Sequence, residues 1–185
     1  MLNCVGMLLA GAMVVGQAGD DTATAKEYYE LAEYWIGKWT VTCKASTKEM
    51  EELFRGKEVE ADMSIEWSPT KRCQVVKIMV DGNVIRHALW GFDPKSKRWH
   101  GMAFNSDGSW SLGSHSPRIL KAKWKKPFKT TVKGTNADGT PMTGEWTTTL
   151  VDQDNYTIEL YEGRGPERKL VLSIHNRRKQ RKEEP

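Results

Sequence analysis

Apolar and polar residues alternate along most of the chain after residue 37, and this alternation predicts β-strands. A period of two places the apolar side chains on one face of a strand. The clearest case is the segment 58–67, whose apolar members are Val59, Ala61, Met63, Ile65 and Trp67. Turn signals such as Asp81-Gly82 and the Asn-Ala-Asp-Gly segment at 136–139 separate the strands at intervals typical of hairpins.

The number and order of these segments predict the fold class. We expect about ten strands, including a short one at 119–124, and no segment has the strand–helix–strand order of a parallel sheet. A long antiparallel meander with one apolar face per strand removes its exposed edges by closing on itself. The sequence therefore predicts an all-β, antiparallel, up-and-down meander barrel.

A different period precedes the first strand. Tyr28, Leu31 and Trp35 are spaced three to four residues apart, which predicts a short N-terminal helix over 26–36. Gly37 ends this stripe, and alternation begins at Trp39. We expect the helix to cover one end of the barrel with these three apolar side chains.

Gly37-Lys38-Trp39 resembles the G-x-W start of lipocalin-like (calycin) barrels, in which a helical turn plugs one end. The chain more specifically resembles the DUF1579-like exported bacterial domains, through WGFDP at 90–94, FNSDG at 104–108, NADG at 136–139 and DQDNYTI at 152–158. The resemblance implies that Trp39 packs against an arginine at the end of the last strand, Arg177 or Arg178. We assign barrel closure to Gly37, Trp39 and Arg177, and the resemblance implies no particular activity.

The first 18 residues contain no charged side chain and are almost continuously apolar or small. Gly16 and Ala18 place small residues where signal peptidase requires them, which predicts a signal peptide cleaved after Ala18 and an exported protein. We expect a flexible mature N-terminus at 19–25, a barrel domain at 26–176 and a basic tail at 177–185. Cleavage would leave no segment for stable membrane insertion.

The charge distribution and the cysteine content argue against nucleic-acid binding and against a metal site. The net charge is +4, of which the segment 177–185 contributes +3 through five Lys/Arg and two Glu. The remaining chain lacks the basic face that nucleic-acid binding requires. Cys43 and Cys73 fall at opposite ends of non-adjacent predicted strands, so we expect them to be unpaired. Neither lies at ligand spacing from a second Cys or His, so we predict no metal site.

The barrel interior is the candidate site. We predict that it binds a small apolar or amphipathic molecule without a cofactor, and we find no catalytic constellation in the sequence. The predicted lining residues are Val41, Met63, Ile65, Trp67, Trp90, Trp146 and Leu172.

Three alternatives remain open. The first is a packed barrel that acts as an envelope protein-interaction module through its basic tail. The second is an enzyme that uses His87, which shares a face with Ile85 and Leu89 and is therefore expected to point inward. The third is a haem-binding, nitrobindin-like barrel, whose iron ligand is a histidine near the end of the chain. His175 is the corresponding residue here, but alternation in the last strand turns it outward.

Overall fold

The structure, a computed structural model, describes residues 29, 32–115, 127–163 and 165–179. Ten strands form a single closed barrel in which each strand is antiparallel to its neighbours. In chain order they are β1 (Gly37–Ala45), β2 (Glu58–Trp67), β3 (Cys73–Val80), β4 (Asn83–Asp93), β5 (Arg98–Asn105), β6 (Trp110–His115), β7 (Pro127–Thr135), β8 (Pro141–Leu150), β9 (Asn155–Glu162) and β10 (Lys169–Arg178). The predicted fold class is thus confirmed. The strand predicted at 119–124 lies outside the described residues.

The barrel closes between its first and last strands. β1 pairs with β10 from Trp39 opposite Arg178 to Ala45 opposite Leu172, and on its other side it pairs with β2. Closure gives both edges of every strand a hydrogen-bonded partner, so no edge is left to aggregate. Because β10 extends to Arg178, the first residues of the predicted basic tail belong to the barrel wall.

Alternation decides which side chains face the interior. In β2, Ala61, Met63 and Ile65 are buried, whereas the intervening Asp62 and the flanking Glu60 and Glu66 are exposed. The buried residues of β1, β2 and β3 form one apolar cluster with those of β4, β5 and β9. The apolar face predicted for the segment 58–67 is therefore the inner face of the barrel wall.

Three short helical elements accompany the barrel among the described residues, and one of them, Gly165–Glu167, is a single turn between β9 and β10. A 3-10 turn, Glu33–Trp35, precedes β1, and helix α1, Lys48–Phe54, connects β1 to β2. The hydroxyl of Thr47 accepts a hydrogen bond from the amide of Met50 at 3.3 Å and so caps α1. Much of the helix predicted over 26–36, including Tyr28 and Leu31, lies outside the described residues. Within those residues, no helix has the length and apolar character needed to cross a membrane.

Asp107 and Asp138 lie in hairpin turns between strands. Asp107 accepts hydrogen bonds from the amide and the hydroxyl of Ser109, and Asp138 accepts the same pair from Thr140. These side-chain and backbone hydrogen bonds stabilise the ionised carboxylates and lower the pKa of both aspartates. Turn geometry accounts for both residues, as their sequence context predicts.

Candidate functional site

The end of the barrel beside the 3-10 turn, hereafter the closed end, is sealed by aromatic rings. Trp39 is 0% exposed, and its indole N–H donates to the carbonyl of Trp35 at 2.9 Å. The ring of Tyr156 meets the rings of both Trp35 and Trp39 edge to face, with centroids 4.8 Å and 5.0 Å apart. These contacts join the 3-10 turn to β1 and β9, so aromatic rings cover this end of the barrel in the described part of the chain.

The arginine at the closed end is Arg178, and the assignment to Arg177 was wrong. The guanidinium of Arg178 lies 4.1 Å from the centroid of the Trp39 ring and donates to the carbonyls of Ile36 and Tyr34. Arg177 is exposed. Adjacent strand residues point to opposite sides of the wall, so only one of the two arginines can face Trp39.

A second group of contacts extends the closed end toward β2 and β3. The buried side chain of Gln74 donates to the carbonyl of Ala32 at 2.7 Å, and the indole of Trp67 donates to Glu33 at the same distance. Trp67 also borders an open surface groove, whose lining is Tyr29, Glu33, Trp67, Thr70, Lys71 and Arg72. Trp67 therefore lies at the outer margin of the closed end.

The other predicted lining residues lie on the inner face of the wall. Val41, Met63, Ile65 and Leu172 are buried, and the first three belong to the apolar cluster. Trp90 packs against that cluster but remains half-buried. Trp146, on the inner face of β8, is also half-buried. The structure thus brings six of the seven predicted residues to one interior.

The opposite inner wall carries small and polar residues beside the buried Phe128 and Val132, and these polar residues were not selected as site residues from the sequence. Its buried polar members are Ser111, His115, Thr130 and Thr148. Trp90 lies across this wall, because a Cβ at Gly101 would overlap its indole and one at Gly113 would come within 2.8 Å of it. Small residues in β5 and β6 therefore make room for a large aromatic ring.

His115 and Asn176 place polar nitrogen atoms deep in the interior. The ring of His115 lies 5.8 Å from that of Trp90 and 5.6 Å from that of Phe128, measured between centroids. Asn176 is 2% exposed, and its buried side-chain nitrogen has no hydrogen-bond partner among the described residues. Buried amide groups are ordinarily hydrogen-bonded, so this donor is a feature that a ligand or water can satisfy.

Arg86 is the one charged side chain that the alternation of β4 turns inward between Ile78 and Asn105, its partners on β3 and β5. It is half-buried, and its guanidinium carbon lies 5.5 Å from the ring centroid of Trp146 on β8. Sequence reasoning missed this residue. The predicted inward position of Trp90 could have revealed it. Arg86 lies four residues before Trp90, and residues four apart in a regular strand share a face.

The predicted inward orientation of His87 was wrong. His87, Ile85 and Leu89 are all exposed on the outer surface of β4. An acid or base at His87 therefore cannot act inside the barrel. His175 is also exposed, which confirms its predicted outward orientation and leaves the haem alternative without the ligand on which it depended.

The cysteines and acidic residues do not form a metal or redox centre in the described part of the chain. Cys43 and Cys73 are unpaired, as expected. No group of three or more His, Cys, Asp or Glu side chains among the described residues is placed to hold a metal ion. Cys43 faces the interior, and burial raises the pKa of its thiol to about 11.

Several inward apolar side chains retain solvent contact although the barrel around them is closed. They pack against the buried cluster but are only half-buried: Cys43, Ile78, Trp90, Ile158 and Ile174. A fully packed interior would bury such residues. The interior therefore has an apolar surface that its own side chains do not completely cover.

Comparison with known proteins supports the fold. The chain is similar to Rv2717c from M. tuberculosis, whose crystal structure aligns with 12% identity and a TM-score of 0.52 over 86% of this chain and 100% of that chain. A redesigned beta barrel, b11L5F_LGL, aligns with 15% identity and a TM-score of 0.33 over 81% of this chain and 96% of that chain. No family model and no curated protein matches the chain. At these identities the likeness to Rv2717c concerns the barrel fold alone.

Proposed function

We propose that this barrel binds a small apolar or amphipathic molecule in its interior and performs no catalysis. One observation carries the proposal: inward apolar side chains such as Ile78, Ile158 and Ile174 remain half-buried inside a closed wall. Apolar surface in contact with water favours a ligand that covers it, by about 25 cal/mol for each Å² removed from solvent.

The strand number supports the same proposal. About eight strands enclose an interior that side chains can fill or that holds one small ligand, and the diameter grows with the number of strands. This barrel has ten. The inner wall also includes Ala103 and Ser111, whose small side chains fill little of the additional width.

The polar groups inside favour an amphipathic ligand over a purely apolar one. Ser111, Thr130 and Thr148 face an apolar cluster that includes Val41 and Met63. Pockets of this kind cover most of a ligand with apolar contacts and orient it with a few polar groups. The unpartnered side-chain nitrogen of Asn176 offers one such donor.

The non-catalytic part of the proposal follows from the position of His87. This residue was the proposed acid or base of the enzyme alternative, and it lies on the outer surface. We further propose that the chain is an exported member of the DUF1579-like lipocalin-like group. The arrangement of the 3-10 turn, Trp39 and Arg178 at the closed end is consistent with this kinship.

The binding proposal is tested by titrating purified, delipidated protein with decan-1-ol in a calorimeter. Ile174→Trp places a large ring in the interior, whereas His175→Trp places the same ring outside on the adjacent residue of β10. We expect Ile174→Trp to weaken decan-1-ol binding and His175→Trp to leave it unchanged. Equal binding by both variants, or no binding of decan-1-ol by the wild-type protein, would contradict the proposal.

A second candidate function, protein interaction, is supported by the outer surface of β4, β5 and β6. Apolar side chains on this surface are strongly exposed, and they are Ile85, Leu89, Met102, Phe104 and Trp110. Direct cross-strand pairing joins Leu89 to Met102 and Phe104 to Trp110. Contiguous exposed apolar patches mark interaction sites. Sedimentation velocity of the wild-type protein and Phe104→Glu tests this candidate, which predicts a concentration-dependent association that the variant loses.

A further inference from the structure

Arg86 places a positive charge inside the barrel. The other inward residues of β3, β4 and β5 are neutral. Its neighbours across the inner face are Ile78 and Asn105. The side chain extends to the ring of Trp146, which belongs to a strand four positions around the barrel from β4. The guanidinium therefore crosses part of the interior space.

The hydrogen-bonding capacity of Arg86 is largely unused by the protein. Its Nη1 donates to the side-chain oxygen of Asn105 at 2.9 Å. A guanidinium carries five N–H donors in a planar fork, and the central carbon of this fork lies 5.5 Å from the ring centroid of Trp146. The ion pairs formed among the described residues do not include Arg86.

Asp107 is the carboxylate whose charge acts on Arg86, and it is already engaged in hydrogen bonds. Asp107 favours the protonated guanidinium through its electric field, but its carboxylate accepts the amide and hydroxyl hydrogens of Ser109 in the β5–β6 turn. Burial lowers the pKa of Arg86 to about 10, so the side chain stays charged at neutral pH. A charge that is partly withdrawn from water without a paired anion is unfavourable, and a bound anion would relieve that cost.

The surroundings of Arg86 define the chemical class of the anion. Ile78, Trp146 and the apolar cluster present hydrocarbon and aromatic surface beside the guanidinium. An inorganic anion would leave this surface uncovered. A carboxylate attached to an apolar chain would pair with the planar fork through two parallel hydrogen bonds and cover the apolar surface with the chain.

We propose that Arg86, positioned by Asn105 and Trp146, binds the carboxylate head of an amphipathic ligand whose apolar part occupies the barrel interior. This inference rests on the proposed interior-binding function and specifies its ligand class. In this proposal Arg86 selects the head group, and the apolar wall contacts the hydrocarbon part of the ligand.

The test compares decanoate with decan-1-ol, which have the same chain length and differ in head group. Calorimetric titrations use the wild-type protein, Arg86→Gln and, as a control, Arg177→Gln on the exposed outer side of β10. Arg86→Gln should weaken decanoate binding by about tenfold or more, the effect of losing charge-assisted hydrogen bonds. It should leave decan-1-ol binding unchanged, and Arg177→Gln should change neither.

The outcomes separate the two proposals. If Arg86→Gln binds decanoate as tightly as the wild type, the role of Arg86 is refuted, while interior binding of decan-1-ol stands. If the wild-type protein binds neither probe, the interior-binding function fails and the assignment to Arg86 fails with it. Circular dichroism checks folding. Should Arg86→Gln not fold, Arg86→Lys retains the charge but loses the two-bond fork, and it should still lower affinity for decanoate alone.

Discussion

The guanidinium of Arg178 lies 4.1 Å from the ring centroid of Trp39, its direct partner across the β1–β10 junction. The same guanidinium donates to the carbonyls of Ile36 and Tyr34, which lie at the end of the 3-10 turn. One side chain thereby connects the last strand, the first strand and the segment that seals the barrel. The closed end is a single contact network whose members can be removed one at a time.

Trp39→Ala should destabilise the protein by about 3–5 kcal/mol, the usual cost of deleting a fully buried aromatic ring. The ring is 0% exposed and contacts Tyr156, so its removal leaves a cavity between β1 and β9. Urea unfolding followed by circular dichroism measures the change. A variant as stable as the wild type would show that the closed end does not depend on this ring.

Arg178→Ala should destabilise the barrel by about 2–4 kcal/mol, the combined effect of a cation–π contact and charge-assisted hydrogen bonds to carbonyls. Arg177→Ala is the matched control, because Arg177 is the exposed neighbour in the same strand. Its effect should stay within about 0.5 kcal/mol. If urea unfolding showed equal destabilisation by the two variants, the effect would come from removing a charge from β10 and not from losing the contact with Trp39.

The fold was predictable from sequence because most strands have one clearly apolar face. In β2 the alternation of Met63 and Ile65 with acidic residues admits only one orientation relative to the core. Turn residues such as Asp81 and Gly82 then determine where each hairpin reverses, and both adopt the positive φ that this turn requires. The class of the fold and the order of its strands follow from these two local signals.

The orientation of β4 was not predictable from hydrophobicity alone, because both of its faces carry apolar residues. Ile85 and Leu89 suggest one inner face, while Ala88 and Trp90 suggest the other. The structure selects the second, which exposes His87 and turns Arg86 inward. The prediction for β10 failed in the same way, because Arg177 and Arg178 are adjacent and only Arg178 faces Trp39. The polar inner residues Thr130 and Thr148 were not chosen as site residues because the choice followed apolar side chains, although the strands that hold them do alternate.

Gly101→Ala should destabilise the protein by about 1–3 kcal/mol, as overpacking of an interior does. A Cβ at this position would overlap the indole of Trp90, which must then move away from the β5–β6 wall. Gly56→Ala is the control, since a Cβ there would meet nothing within 4 Å. Thermal unfolding compares the two. If Gly101→Ala were no less stable than Gly56→Ala, Trp90 would not lie against this wall.

The alkylation rate of Cys43 measures how readily a reagent reaches the barrel interior. Its pKa of about 11 leaves almost all of the thiol protonated at neutral pH, and the thiolate is the reactive form. In a chain with Cys4 and Cys73 replaced by serine, alkylation by N-ethylmaleimide should therefore accelerate about tenfold for each pH unit between about 7 and 10. Mass spectrometry measures the rate, and a rate that levels off at about pH 9, as it does for an ordinary thiol, would contradict the raised pKa of Cys43.

Decan-1-ol should slow this alkylation, because the proposed ligand and the reagent share the interior. The control is a chain that retains Cys73 and carries serine at positions 4 and 43, since Cys73 lies on the other face of the wall from the buried Gln74. Decan-1-ol should leave the alkylation rate of Cys73 unchanged. Equal protection of both cysteines would indicate binding outside the barrel.

The most direct test of interior binding is methyl NMR of isoleucine-labelled protein with decan-1-ol. Ile78, Ile158 and Ile174 pack against the inner cluster, whereas Ile85 is exposed on the apolar outer surface. Interior binding predicts intermolecular nuclear Overhauser effects from the decan-1-ol chain to the first three methyl groups and none to Ile85. Contacts to Ile85 without contacts to the inward isoleucines would contradict the account and place the ligand on the outer face.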